Sequence, residues 1–170
     1  ANGTITDSGN LLVTGTTTLA AGAANDITLN SAGNNFSTVA ITSGNNVTLV
    51  DTNAIDLGAS TVSGTLNVTA NGAITDSGNL AVTGTTTLAA GAANDITLDS
   101  AGNNFSTVGV ASGKNVFLND ALGGIDLAAS TISGTYAVTA TGNMTQSGAF
   151  TIVGGGTATF TAAGAGINAT

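Results

Sequence analysis

The fifteen residues from Asn25 to Val39 return at Asn94 to Val108 with a single change, Asn30 against Asp99. A duplication this faithful makes the chain a repeat protein before any local motif is weighed. Ala1 to Leu49 maps onto Ala70 to Leu118 at a spacing of about 69 residues, with about 41 of 49 positions identical. The second copy then gains one residue in Ala121-Leu122-Gly123-Gly124, and register resumes with Ile55–Gly64 against Ile125–Gly134. A degraded third copy starts at Ala140. The units are therefore about 1–69, 70–139 and a partial 140–170, in a single β-helical segment. The opening Ala-Asn-Gly matches the internal Ala70-Asn71-Gly72, so the chain reads as part of a longer array. Any targeting signal is then expected outside it.

Between the repeat landmarks, short runs of Val, Ile, Leu and Thr alternate with Gly, Asn, Asp and Ser, the pattern of strands joined by turns. Asn45–Gly64 and Thr65–Gly84 are each 20 residues and superimpose as strand, turn, strand, turn, strand, Gly. A β-sandwich does not explain that superposition; a solenoid does. The expected fold is an all-β, right-handed parallel β-helix of about seven rungs. Each rung has three short strands and 20–29 residues, Thr16–Gly44 being a long coil of 29. Period-two alternation aims Thr17, Leu19, Val47, Leu49, Leu66, Val68, Thr86, Leu88, Val116, Leu118, Tyr136, Val138, Ala158 and Phe160 inward from the first strands. Ile27, Leu29, Ile55, Leu57 and Ile74 do so in the second strands. Val13, Val39, Ile41, Val62, Val82, Val108, Val110, Ile132 and Ile152 do so in the third. The absence of proline fits interior strands that use every N–H.

The motifs GAITDSGNLAVTGTTTLAAG, NDITLDSAGNNF, NVTLVDTNAIDLG and STVSGTLNVTA resemble the repeats of filamentous-haemagglutinin-type exoproteins, which are exported by two-partner (type V) secretion. The likeness covers nearly the whole chain. It implies the shaft of a secreted or cell-surface bacterial adhesin or toxin carrier, associated with the outer membrane through the parent protein. It also implies that any host-cell or glycan receptor is met by other domains.

Chemistry is scarce. Arg, Glu, His and Cys are absent, and one Lys stands against nine Asp, for a net charge of −8. That balance argues against nucleic acid and anionic membrane surfaces. No apolar run reaches the ~18 residues of a membrane span, so membrane insertion is not expected. Without a nucleophile–base pair or a metal set, no enzyme activity and no cofactor are expected. Two carboxylate pairs, Asp51 with Asp56 and Asp120 with Asp126, suit a β-helix enzyme acting on polysaccharides; the plainer reading is turn Asp bonding backbone N–H groups. Asp7, Asp26, Asp76 and Asp95 stand alone, short of a calcium site. Gly154-Gly155-Gly156 lacks the rest of a phosphate loop and reads as a turn. Seven Asn-x-Ser/Thr sequons, at Asn2, Asn35, Asn46, Asn67, Asn104, Asn143 and Asn168, are about what this composition produces by chance.

Two features suggest contact surfaces. Asn34-Asn35-Phe36 and Asn103-Asn104-Phe105 would form a lateral ledge for carbohydrate or protein, unless each Phe folds back over its own loop. Thr16 and Thr18, Thr85 and Thr87, and Thr157 and Thr159 would form an ice-binding face, interrupted by Asn46, Asn67, Asn115 and Phe117. The primary expectation is a structural shaft whose partners are flanking repeats of the same chain. Head-to-tail self-association of the segment through open strand edges is also expected. A binding module is the alternative, and a polysaccharide-active enzyme the third.

Overall fold

The computed structural model describes residues 1–164 and the backbone of Ile167–Asn168. It is a parallel β-solenoid, and every strand pair in it is parallel. Two long sheets form opposite walls. Sheet I stacks Ile5–Thr6, Ile27–Leu29, Val47–Asp51, Leu66–Ala70, Leu80–Ala89, Asn104–Ser112, Ile125–Leu127, Met144–Gln146 and Ile167–Asn168, and Ser60–Val62 also joins Leu80–Ala89. Sheet II stacks Leu12–Ala20, Asn35–Ser43, Ile55–Leu57, Ile74–Asp76, Ile96–Leu98, Val116–Asp120, Tyr136–Ala140 and Ala158–Ala162. The two remaining sides are closed by shorter pairings: Ser60–Val62 with Leu80–Val82 on the way from sheet II to sheet I, and Ser130–Ile132 with Phe150–Ile152 on the way from sheet I to sheet II.

The turn length differs from the sequence expectation. One column of sheet II runs Thr16, Thr38, Asp56, Thr75, Thr97, Phe117, Ala137, Thr159, so each turn takes 18 to 22 residues. There are about eight turns rather than seven. The expected 29-residue coil does not exist, because Thr16–Gly44 holds a turn and part of the next. Its long strands, Leu12–Ala20 and Asn35–Ser43, each cross two walls. They bend where Thr14 and Gly15 together oppose Ser37, a β-bulge repeated where Thr83 and Gly84 oppose Ser106.

This miscount conceals how the duplication is laid out. Down sheet I, Ile5 leads to Ile27, Val47 and Leu66 in three turns. Ile74, the counterpart of Ile5, lies half a turn further on, in sheet II between Ile55 and Ile96. One repeat therefore makes about three and a half turns, and every strand changes walls between copies. Ile27–Leu29 and Val47–Asp51 lie in sheet I, while Ile96–Leu98 and Val116–Asp120 lie in sheet II; Asn35–Ser43 and Asn104–Ser112 exchange in the opposite sense. At ~4.8 Å per turn, equivalent residues stand ~17 Å apart along the axis on opposite sides.

The core is one column of aliphatic side chains. Val47, Leu49, Leu66, Val68, Ile74, Leu88, Ile96 and Val116 are all inaccessible to solvent, or nearly so. Full burial of each such side chain is worth about 1.5–3 kcal/mol. The inward set expected from alternation is buried through the middle turns. Thr17, Val13, Ile152 and Phe160 are only half-buried, and Ala158 is exposed. Ala158 belongs to the last strand of sheet II, which pairs on one side only. Where the second copy meets the third, the core turns aromatic: Tyr136, Phe150 and Phe160 meet edge to face, with centroids 5.4 to 6.0 Å apart.

Candidate functional site

The two Asn-Asn-Phe segments sit at the corner where the long strands cross between walls. Asn34 and Asn103 are fully buried and act as braces. Asn34 Oδ1 accepts the Leu11 N–H at 2.8 Å, and its Nδ2 donates to Asp7 Oδ2 at 2.6 Å. Asp7 also accepts the N–H groups of Asn30 and Ser31. Burial would push the Asp7 carboxyl up, but bonds from Asn34, Ser31 and Asn30 outweigh it and hold the group below its ordinary value. The second copy repeats the set: Leu80 N–H to Asn103 Oδ1 at 2.8 Å, and Asn103 Nδ2 to Asp76 Oδ2 at 2.7 Å.

Phe36 and Phe105 are each 1 % exposed. The structure thus takes the fold-back arrangement, and the aromatic part of the expected ledge is absent from the surface. Asn35 and Asn104 alone reach solvent. Beside each lies a shallow depression. One, of about 440 Å³, is bordered by Val13, Thr14, Asn35, Ser37 and Asn53 over Phe36; the other, of about 320 Å³, by Ala81, Val82, Thr83, Asn104 and Ser106 over Phe105. They occupy equivalent bulges and so open on opposite sides of the solenoid.

On each short side the backbone ladder stops at the Phe, and a buried Asp replaces the missing strand. The Phe36 N–H donates to Asp51 Oδ2 at 2.6 Å, and the Phe105 N–H to Asp120 Oδ1 at 3.0 Å. Asp51 closes its second oxygen locally, Oδ1 accepting the Asn53 N–H at 2.8 Å. Asp120 does not: its Oδ2 is buried without a hydrogen-bond partner. Burial pushes the Asp120 carboxyl up, offset in part by the Phe105 N–H. Ser60 and Ser130 perform the same service one corner on. Their hydroxyls accept the N–H groups of Ile41 and Val110 and donate to the carbonyls of Gly58 and Ala128.

The expected carboxylate pairs are not brought together. Asp51 points into the core, whereas Asp56 faces outward and accepts from Thr75 Oγ1 at 3.3 Å and Ser77 Oγ at 2.5 Å. Asp120 and Asp126 divide in the same way, Asp126 accepting from Thr145 and Ser147. Asp26 accepts from Asn45 Nδ2 and from the Asn46 N–H and Nδ2, and Asp95 from the Asn115 N–H and Nδ2. Among the described residues no cluster of three or more His, Cys, Asp or Glu side chains could hold a metal ion. Gly154 and Gly155 adopt φ of 70° and 77°, making the expected turn. The side chain of sequon residue Asn168 lies outside the described residues.

The threonine rows are stacked differently from the sequence expectation. Thr16 lies on Thr38, and Thr87 lies between Asn67 and Gly109. The outward column of sheet I reads Thr6, Thr28, Thr48, Asn67, Thr87, and that of sheet II is broken by Asp56, Phe117 and Ala137. Phe117, at 44 % exposure, is the aromatic that does face solvent.

Sequence reasoning missed Asn34, Asn103, Ser60 and Ser130 as structural residues. Their signal was present only as recurrence at the repeat spacing, which does not say where a side chain points. A family model described as repeats of unknown function (DUF5649) matches residues 1–43, 44–112 and 113–168. The middle match spans one repeat period. No curated protein and no solved structure matches the chain.

Proposed function

We propose a structural role for this chain, which belongs to that family of repeats of unknown function: it is a shaft segment of a filamentous-haemagglutinin-like bacterial exoprotein exported by two-partner secretion, holding distal binding or toxin domains away from the cell. One observation carries the reading. Where a parallel ladder breaks at a corner, a buried side chain of the repeat takes up the exposed N–H, as Asn34, Asp51 and Ser60 do. These three buried polar side chains serve the backbone, which suits a rigid rod. Neighbouring repeats are its natural partners, since each turn offers the next a full row of N–H and C=O groups.

The test varies repeat number in the parent protein. Adding or removing one copy should change the distance from the cell surface to the tip by ~17 Å per copy, with receptor binding or toxin delivery retained. Binding lost on removal of a single internal copy, with the tip domains intact, would overturn the reading in favour of a binding module.

A further inference from the structure

Among the described residues, Asp120 is the buried carboxylate with an oxygen left unpartnered; the other buried side-chain atoms without a partner are the neutral hydroxyls of Thr17, Thr86 and Tyr136. Asp120 is fully buried, its Oδ1 accepts one N–H, and its Oδ2 has no donor. Its counterpart Asp51 accepts one N–H on each oxygen. The cause is the one-residue insertion. After Asp51 the chain reads Thr52-Asn53-Ala54, and the Asn53 N–H turns back to the carboxylate. After Asp120 it reads Ala121-Leu122-Gly123-Gly124. Ala121 keeps the bond of its counterpart, donating to the Asn103 carbonyl at 2.9 Å as Thr52 does to Asn34, but the returning N–H is lost. A β-carbon on Gly123 would lie 3.7 Å from Asp120 Oδ2 and 3.4 Å from Asn104 Oδ1. Two acceptor oxygens therefore flank one small space.

The charges around this corner do not compensate. On the strand ends stacked above it, Asp76 is engaged by the N–H groups of Asp99 and Ser100, and Asp99 is exposed. Asp126 points outward, and the chain's one cation, Lys114, precedes the strand Val116–Asp120 at its far end. A buried carboxylate with one unsatisfied oxygen and no cation is costly while ionised.

We propose that the Asp120 corner is a proton-sensitive joint, looser than its twin when ionised and tightened by a proton on Oδ2. The proton removes the buried charge and supplies the donor that the space beside Gly123 lacks. The sign follows from burial, which raises the folded-state value above the ordinary 3.8. The folded state then holds more protons than the unfolded chain between those two values, so stability falls as pH rises through that window. Asp7 works in the opposite direction, because its folded value is lowered.

Amide hydrogen exchange on the whole chain, corrected for intrinsic rates, compares Phe105 with Phe36 at pH 7 and at about pH 4. Protection of the Phe105 amide is expected to rise at least about twofold relative to Phe36 on acidification. Asp120→Asn should hold Phe105 at the high value at both pH values. An equal response at the two Phe amides in the unsubstituted chain would overturn the proposal, whether or not the variant folds. So would a rise at Phe105 produced at constant pH by millimolar calcium, which would assign the space to a cation instead.

Discussion

The Asp51 and Asp120 corners are the same device built twice, and they differ by one inserted residue. In the first copy every oxygen of the buried carboxylate is used. In the second, the surrounding braces are intact, with Asn103 and Ser130 bonded as Asn34 and Ser60 are, yet one oxygen is stranded. The difference teaches that a corner bond is a local feature, which can be lost without disturbing the ladder or the core around it. A turn that gains a residue keeps its ladder, because Ala121 still pairs, and loses only the bond that needed a particular loop length.

The comparison predicts a ranking. The largest effect should come at a close backbone approach that the second and third copies share. Gly78 and Gly148 lie backbone to backbone against the turn above, and an added β-carbon would come within 2.2 Å of the Ala59 nitrogen or 2.1 Å of the Ala129 nitrogen. Gly78→Ala and Gly148→Ala should each cost about 3 kcal/mol in chemical denaturation, equally in both copies. A cost confined to one copy would show that the turns are not equivalent.

Next comes the carboxylate itself. Asp51→Asn turns one acceptor into a donor facing an N–H and should cost about 1–2 kcal/mol at pH 7. Asp120→Asn should be neutral or stabilising there, because it discharges an oxygen that has no donor. Equal losses in the two variants would break the comparison. A smaller gain, ~1 kcal/mol, is expected from replacing Ala121–Gly124 with Thr-Asn-Ala, which restores the returning N–H to Asp120. No change in the denaturation midpoint would show that loop length is not the cause.

The smallest effect concerns Tyr136, which stands where the earlier copy has Leu66. Burial pushes its phenol up to about 12. Relative to an ordinary value of 10.0, the folded state keeps its proton longer, so stability should fall as pH rises from 10 to 12. Tyr136→Phe should flatten that fall while changing stability near pH 7 by less than about 1 kcal/mol. An unchanged alkaline limb would assign the loss to another group.

Much of this architecture was readable from the chain alone. Alternation placed Val47, Leu66, Ile74, Val108 and Ile132 inward, since period two depends only on the local backbone. The duplication announced the solenoid. The turn count was harder, because the spacing of glycines makes Thr16–Gly44 one long coil, whereas the structure bends its strands at Thr14-Gly15, opposite Ser37. A bulge leaves no strong local mark, and the error of half a turn hid the exchange of walls. The corner chemistry was least readable. Asn34 reaches Asp7 across 27 positions, and Phe36 takes its acceptor from Asp51, 15 positions on. Such bonds follow from stacking and cannot be seen until the turn length is known.

The half-turn offset has a mechanical consequence. The bulge at Thr14-Gly15 bends its strand toward one flank, and its twin at Thr83-Gly84 bends toward the other. Any lean that this corner imposes on the axis would therefore point in opposing directions in odd and even copies, and one would cancel the next. A repeat of a whole number of turns would add every such bend on the same flank and coil the array into a bow. By closing on a half-integer, the unit can carry a kinked corner in every copy without stacking the bends on one flank.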